Sequence, residues 1–254
     1  MKRLCARVVR VEQLSRPQRD DMFALLQTYY EGVCFEVFEN DLEAKEEAIL
    51  LEDTEGRLRG FSTLTVCEMK VAGARFQVAF SGDTIVEKDC WGQTALQRAF
   101  VWRMLQIKCR RPFLPLYWFL ISKGYKTYLL MAHNFVRFFP RVNGEASLKP
   151  LLVACARSRF GSQYSEATGL IHLEGRASFL KQAVAPIPSK LLRNNPHVRH
   201  FVELNPTWEK GTELACLADF SVAMVLKFVA RSLFKKRAAL RPVFDVPASG
   251  ENAS

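Results

Sequence analysis

The chain has 254 residues, of which 49% are apolar and 24% charged, so it can bury a full core and is not disordered over most of its length. Lys and Arg outnumber Asp and Glu by 36 to 26, and the resulting net charge of +10 favours anionic partners: nucleic acid, an anionic membrane surface or an acidic carrier protein. The seven cysteines are scattered and lack any C-x-x-C spacing, which argues against a disulfide framework or a zinc knuckle and indicates a reducing cytoplasm.

The N-terminal segment predicts a strand followed by a helix. Arg7 and Arg10 interrupt the first apolar run, so this run is typical of a strand rather than of a signal peptide. Ser15 and Gln18 then have the spacing of a capping box. Apolar residues at helical spacing follow them, which predicts a helix over residues 16–30.

The next segment predicts three strands, of which the last two form a hairpin. The apolar run 48–51 is short enough to be a strand, and it ends at the turn 53–56. Residues 58–68 and 75–86 are two further strands, and the second has large apolar side chains at every other position from Phe76 to Phe80. With 71–74 as their turn, these two strands should pair in antiparallel fashion.

A helix is predicted to start at Gly92, directly after the alternating strand. Its apolar positions recur at helical spacing and comprise Ala95, Ala99, Trp102, Leu105 and Cys109. A helix that begins beyond a buried strand presents unpaired backbone N–H groups and a positive dipole end at the strand tip. Phosphate is a natural ligand there, although a purely structural crossover has the same pattern.

After a break at residues 110–112, the apolar segment 115–124 predicts a short helix closed by Gly124. The run 127–132 predicts a buried strand, and Asn134 is positioned to cap a short helix.

The second half predicts mostly helical structure. Residues 150–160 indicate a helix, 169–173 a strand and 177–184 a short helix, followed by a turn-rich loop. Residues 214–237 then predict one long apolar helix with a basic end. A tail over 242–254 is predicted to be disordered.

The long C-terminal helix has two interpretations. Asp219, Lys227 and Arg231 interrupt its apolar run, so it is too charged to cross a bilayer. Its basic end fits a helix that lies on an anionic membrane surface. A helix packed into the core, with only the basic end in solvent, explains the pattern equally well.

Two motifs and the order of the elements resemble the GNAT acyltransferase superfamily. VEKDCWGQTALQRAF, residues 86–100, resembles the pyrophosphate loop and helix of that family, and NFVRFF, residues 134–139, resembles its later Asn motif. The resemblance implies an α/β fold with a GNAT-like mixed central sheet flanked by helices, and a mostly helical C-terminal extension. The corresponding domains are a core over 1–147, an extension over 148–241 that packs on the core as an acyl pocket or lid, and the tail.

The resemblance also implies an activity. It predicts an N-acyltransferase that moves an acyl group, here a long-chain one, to an amine such as an amino acid or a lipid precursor, as in relatives that make N-acyl amino acids or acyl-homoserine lactones. The implied donor is acyl-CoA or an acyl carrier protein. Asp89 stands where the family has Gln or Arg, and an acidic residue facing a pyrophosphate favours the carrier protein.

Partners and location follow from the same arguments. The expected partners are a small-molecule amine, an acyl carrier protein and an anionic membrane surface in peripheral contact, with the protein in the cytoplasm. Nucleic acid is disfavoured, because the aromatic residues 117–119 lie in an apolar run rather than among Lys and Arg. A non-catalytic module of the same fold, which binds acyl chains or an anionic membrane, is the alternative, and the altered pyrophosphate loop favours it.

Acyl transfer needs a neutral amine, a polarised thioester carbonyl and a protonated leaving thiol. Asp83 and Glu87, in or just past the alternating strand, are the predicted proton acceptors, and His133 is the best placed of the four histidines. Asp83 could instead stabilise a turn after Gly82, and His133 could be structural. The residues predicted to bind the donor are Ile85, Val86, Trp91, Gly92, Gln93, Thr94 and Asn134.

No metal site is predicted. His197 and His200 could share a helix face, but no third ligand lies near them in the sequence.

Overall fold

The computed structural model describes residues 4–144, 146–173, 179–180, 186–221 and 224–225. In chain order its first elements are β1 (Cys5–Arg10), α1 (Arg16–Tyr29), β2 (Tyr30–Glu31), α2 (Phe35–Glu43), β3 (Glu47–Glu52), β4 (Leu58–Val71), β5 (Ala74–Val86) and α3 (Ala95–Arg110). They are followed by β6 (Leu116–Ser122), α4 (Tyr125–Asn134), β7 (Phe138–Phe139), α5 (Lys149–Phe160), β8 (Tyr164–Ser165), β9 (Leu170–Ile171), β10 (Phe179–Leu180), α6 (Ser189–Asn194), α7 (Pro196–Leu204) and β11 (Glu213–Asp219).

One large mixed sheet organises the described part of the chain. Its strand order is β1-β3-β4-β5-β6-β11-β9-β8, with β7 also paired to β11, and β2 pairs separately with β10. β5 and β6 run parallel from the pair Gln77–Leu116 to the pair Ser81–Leu120, whereas the other pairings are antiparallel. The predicted fold class is confirmed: a mixed sheet is flanked by helices, and helices also occur in the C-terminal part.

Helices cover both faces of the sheet. On one face α3, α4 and α7 pack on the sheet around a core that includes Ala79, Met104, Tyr128 and Phe201. On the other face α1 and α2 pack on Phe61, and α5 packs on Val78 and Phe80. Such a two-sided sandwich buries the strands completely, so the central strands are apolar on both faces.

The helix and the hairpin near the N-terminus form for the local reasons expected. The Ser15 hydroxyl accepts from the Gln18 N–H at 3.4 Å, and the Gln18 side chain accepts from the Ser15 N–H at 3.0 Å, which completes the capping box of α1. The hairpin of β4 and β5 turns at Ala72 and Gly73, both with positive φ of 47° and 85°. Two left-handed residues are what a two-residue hairpin turn requires.

Two neighbouring segments have the opposite secondary structure to the one predicted: one predicted helix is a strand, and one predicted strand is a helix. The segment 115–124, predicted as a helix, contains strand β6, because this strand lies between β5 and β11 and its side chains are apolar on both faces. The run 127–132, predicted as a strand, belongs to helix α4, whose buried residues Tyr125, Tyr128 and Met131 have helical spacing. Asn134 is therefore the last residue of α4 and not the cap of a following helix.

The predicted long helix over 214–237 is wrong in its first part. Residues Glu213–Asp219 form β11, which is buried between β6 and β9. Of the remainder, the basic end at 235–237 lies outside the described residues, as does the tail 242–254. The predicted helix over 177–184 also lies outside them, except for β10, which is a strand. Within the described ranges, no helix is both long enough and apolar enough to cross a membrane.

Candidate active site

A cavity opens where the two parallel strands at the centre of the sheet separate. Pairing between β5 and β6 ends at Ser81 and Leu120, although β5 continues to Val86 and β6 to Ser122. The resulting space has a volume of about 950 Å³. Its walls come from both strands, from α1, α2 and α4, from the first turn of α3, and from the end of α5.

A β-bulge in β5 lies at the edge of this cavity. Between the pairs Leu64–Ser81 and Ser62–Thr84, β4 has one residue, Thr63, whereas β5 has two, Gly82 and Asp83. A bulge bends the strand and redirects side chains, and here Asp83 lines the cavity. A Cβ atom on Gly82 would lie 2.6 Å from Thr63 Oγ1 and 2.9 Å from Lys45 Cε, so glycine leaves the space that these two side chains occupy.

The Asp83 carboxyl has an unusual protonation equilibrium. Burial and the neighbouring Asp41 raise its pKa to about 6, against the opposing effect of Lys45 and Lys123. Its surroundings within the described part of the chain supply charges but no hydrogen bond to the carboxylate. Asp83 can therefore accept a proton above a pH of about 6, which suits a general base at neutral pH.

Other ionisable residues from distant parts of the chain surround Asp83 on the cavity wall. The Lys45 ammonium donates to both the carboxylate and the carbonyl of Asp41, the latter at 3.0 Å. Lys123 Nζ lies 3.3 Å from Glu213 Oε1. Burial, followed by the charges of Glu213 and Asp83, raises the pKa of Tyr30, so its hydroxyl stays protonated at neutral pH.

The loop before α3 forms another part of the wall. Trp91, Gly92 and Gln93 line the cavity, and Gly92 has a φ of +86°. The N-cap of α3, Thr94, makes no side-chain cap hydrogen bond, so the first N–H groups of the helix remain available as donors. The Lys126 ammonium lies 3.5 Å from the centre of the Trp91 ring, and burial followed by the charge of Lys88 lowers its pKa. The helix end and these cations make this region attractive to an anion.

The structure brings together part of the predicted site. The predicted residues that line the cavity are Asp83, Ile85, Val86, Trp91, Gly92 and Gln93. Glu87 and Thr94 are near but do not line it. The Glu87 carboxylate accepts from Arg59 at 2.8 Å, and Arg59 also donates to Asp53 at 2.8 Å. Glu87 therefore helps to fix the end of β5 against β4.

The two predicted residues of α4 lie elsewhere. His133 and Asn134 are in the last turn of α4 and do not line the cavity. The His133 ring centre lies 6.2 Å from that of His197, on α7. Burial and the charges of His133 and Arg141 lower the pKa of His197. Nowhere in the described ranges do three His, Cys, Asp or Glu residues form a group that could hold a metal ion.

Sequence reasoning missed Lys45, Tyr30, Lys123 and Glu213. One signal was available for Lys123, because it directly follows the apolar run of β6. The ends of neighbouring parallel strands lie at the same edge of a sheet, so the end of β6 lies near the end of β5, which carries Asp83. The prediction of a helix over 115–124 concealed this signal. Glu213 had no local signal, because it was assigned to a turn-rich loop.

No protein-family model matches the sequence, and no curated protein matches it significantly. Among solved structures, a probable N-acyltransferase from Enterococcus faecalis V583 aligns with a TM-score of 0.39 and 15% identity, over 50% of this chain and 31% of that one. This chain thus spans less than a third of that protein.

Two further solved structures cover similar parts of this chain. A GNAT family N-acetyltransferase from Escherichia coli in complex with CoA aligns with a TM-score of 0.36 and 19% identity, over 54% of this chain and 74% of that one. A ribosomal-protein-alanine N-acetyltransferase from Brucella melitensis biovar Abortus 2308 aligns with a TM-score of 0.39 and 16% identity, over 52% and 90%. The TM-scores lie below 0.5, so these likenesses carry no conclusion about function.

Proposed function

We propose that the protein is an N-acyltransferase that moves an acyl group from a thioester to an amine. The observation that carries this proposal is Asp83, placed by a β-bulge in the cavity between the separated strands β5 and β6, with its pKa raised to about 6. Acyl transfer to an amine requires a base in a cavity that can hold the amine beside the thioester. The motifs that resemble the GNAT superfamily support the same activity.

The proposed reaction uses the residues of the cavity in distinct roles. Asp83 accepts a proton from the ammonium group, and the neutral amine attacks the thioester carbonyl, so that a C–N bond forms and the C–S bond breaks. The departing thiolate takes a proton from the hydroxyl of Tyr30, which lies in the same cavity, and the attacking nitrogen gives its second proton to the Tyr30 oxygen as the amide forms. Beyond Ser81, the backbone of β5 has no pairing with β6, so it can hydrogen-bond the donor instead.

For the donor we propose acyl-CoA, with an acyl carrier protein as the alternative. The N–H groups at the start of α3, together with Lys126 and Lys88, favour a pyrophosphate near Trp91 and Gly92. Asp89 is exposed and belongs to the short turn before this loop, so it does not need to face the phosphate. These positions support a nucleotide donor more than a carrier protein.

We also propose that the acyl group is long and that the residues beyond 148 form part of its pocket. Apolar side chains that line the cavity include Phe80, Trp118, Leu120, Phe160 and Leu173. The last two come from the C-terminal half of the chain. An apolar lining of this kind stabilises a bound acyl chain by about 0.8 kcal/mol per buried methylene.

Thiol release tests the proposal. Acyl-CoA thioesters of increasing chain length, and the matching acyl carrier protein thioesters, would be incubated with a panel of amines, and free thiol and amide product measured together. We expect amine-dependent thiol release that Asp83→Asn slows by about 10²- to 10⁴-fold. Acyl-chain binding without amine-dependent thiol release would favour a non-catalytic binding module instead. Peripheral binding to an anionic membrane stays a prediction.

A further inference from the structure

The cations on the cavity wall differ in how their charges are balanced. Lys45 and Lys123 each lie within 4 Å of a carboxylate, from Asp41 and Glu213. Arg159 also lines the cavity, but its guanidinium makes no ion pair or hydrogen bond with any residue that the structure describes. Its guanidinium carbon lies 3.8 Å from the centre of the Phe80 ring, an arrangement that fixes the cation and leaves its N–H edge available.

Arg159 is held at this position by the end of helix α5. The ring of the next residue, Phe160, packs against Phe80 and Phe119, with centroid distances of 6.0 and 6.3 Å. Gly161, with a φ of +54°, then ends the helix. The guanidinium thus lies over Phe80, two residues before the bulge in β5, and lines the same cavity as Asp83.

We propose that Arg159 binds an anionic group on the amine acceptor, so that the acceptor is an amine that also carries a carboxylate or a phosphate. This inference rests on the proposed function, because it assigns the two ends of one acceptor to Asp83 and to Arg159. The Asp83 carboxylate attracts the ammonium end. Among the described residues no carboxylate lies within ion-pair distance of Arg159, and Lys126, the other such cation of the wall, lies over the Trp91 ring beside the loop proposed for the donor. A guanidinium fork matches a planar carboxylate in bidentate geometry and also binds phosphate.

Matched pairs of amines test this assignment and distinguish the two sources of negative charge. Leucine and 3-methylbutylamine differ by one carboxylate, and phosphoethanolamine and ethanolamine differ by one phosphate. Isothermal titration calorimetry gives the Kd of each amine, and the thiol assay gives KM and kcat. The variants are Arg159→Gln, Arg159→Lys and the control Arg157→Gln, which removes the same charge from the same helix, where Arg157 pairs with Glu166 outside the cavity.

We expect wild-type protein to bind the anionic member of at least one pair more tightly than its neutral partner. Arg159→Gln should raise Kd and KM for that anionic amine by about 10- to 100-fold, the usual effect of losing a charge-assisted hydrogen bond, and leave the neutral amine unchanged. Arg159→Lys should keep part of the affinity, because it retains the charge but not the fork. Arg157→Gln should match the wild type.

The inference is wrong if wild-type protein does not distinguish the members of either pair, or if Arg159→Gln weakens both members equally. It is also wrong if Arg159→Gln raises the Kd of acyl-CoA instead, because Arg159 would then serve the donor. Selective binding of the anionic amine without any acyl transfer would contradict the proposed function alone, since the Kd values do not depend on turnover.

Discussion

At the scale of single residues, Asp83 decides the expected dependence of the reaction on pH. We expect kcat/KM to rise with pH through about 6, as the Asp83 carboxyl loses its proton and becomes able to act as a base. Asp83→Asn should lower kcat/KM by about 10²- to 10⁴-fold and remove this rise. The control is Asp219→Asn, since burial also raises the pKa of Asp219 but that residue does not line the cavity. Equal rates for Asp83→Asn and wild type would exclude Asp83 as the base.

The same carboxyl should cost stability at neutral pH. Its pKa in the folded protein, about 6, lies above the ordinary value, so between the two values the native state binds a proton that the unfolded chain has released. Stability therefore falls as pH rises from about 4 to about 6. We expect the Tm of Asp83→Asn relative to wild type to increase over this range and to stay constant above it.

Asp53 provides a control, because its pKa is shifted in the opposite direction to that of Asp83 and its effect on stability should have the opposite dependence on pH. Burial opposes its ionisation, but hydrogen bonds from Arg59 and from two backbone N–H groups outweigh burial and lower its pKa to about 2. Its contribution to stability is therefore present at neutral pH and lost as the pH falls towards 2. Asp53→Asn should lower the Tm at pH 7, and parallel Tm profiles for the two variants would contradict both assignments.

At the scale of elements, the proposed role of the loop before α3 in donor binding can be tested apart from the effect of its backbone conformation on stability. Gly92 and Gly73 have φ values of +86° and +85°, and at both positions an added Cβ would contact nothing within 4 Å. Substitution by alanine should cost about 1–2 kcal/mol at either position, because the left-handed conformation disfavours a Cβ. Only Gly92→Ala should also raise the KM for the acyl-thioester, since Gly73 lies in the hairpin turn, away from the cavity.

Thermal unfolding and donor titrations of the two glycine variants provide the comparison. Equal KM values in Gly92→Ala, Gly73→Ala and wild type would remove the loop from the donor site.

A buried ion pair joins helix α3 to strand β3 and is a second property at this scale. Arg103 donates from Nε and Nη2 to the two Glu47 carboxylate oxygens at 2.6 and 2.7 Å, and both residues are buried. Glu47→Ala should cost about 3–5 kcal/mol, because it leaves a buried cation without a partner. The double variant Glu47→Leu with Arg103→Met should be clearly more stable than Glu47→Ala in urea unfolding. A double variant as unstable as the single one would show that the charge itself is not the cause.

At the scale of the whole molecule, the C-terminal half completes the central sheet. β11 pairs with β6 from Leu214–Ser122 to Asp219–Tyr117, and its residues Leu214 to Ala218 are buried. A chain that ends at residue 147 would expose the edge of β6 together with the apolar side chains Phe80 and Phe119, which pack on Phe160 of α5. We expect this fragment to aggregate, because a long apolar edge strand is a template for further pairing.

Size-exclusion chromatography and circular dichroism of residues 1–147 test this expectation. A monomeric and folded fragment would contradict it.

Several elements could be predicted because their causes are local. The capping box at Ser15 and the two-residue turn at Ala72 and Gly73 depend on neighbours within a few positions, so spacing and residue type were sufficient. β6 and β11 are different cases. Each is covered on both faces and paired on both edges, so neither shows the alternation that distinguishes a strand from a buried helix.

In the candidate site, too, the features with local causes could be predicted and those that depend on distant residues could not. By itself, the sequence determined that Asp83 lies in a strand that is followed by a helix, because strand, turn and helix are consecutive in the chain. It placed the start of that helix at Gly92, whereas α3 begins at Ala95 and residues 91–93 form the loop before it. Only the tertiary structure decided that Asp83 lies near Lys45, Lys123 and Glu213, and that Arg159 lines the same cavity. The reason is physical: the pKa of a carboxyl and the pairing of a cation depend on burial and on charges a few ångströms away, and sheet pairing brings these groups together from distant positions in the chain.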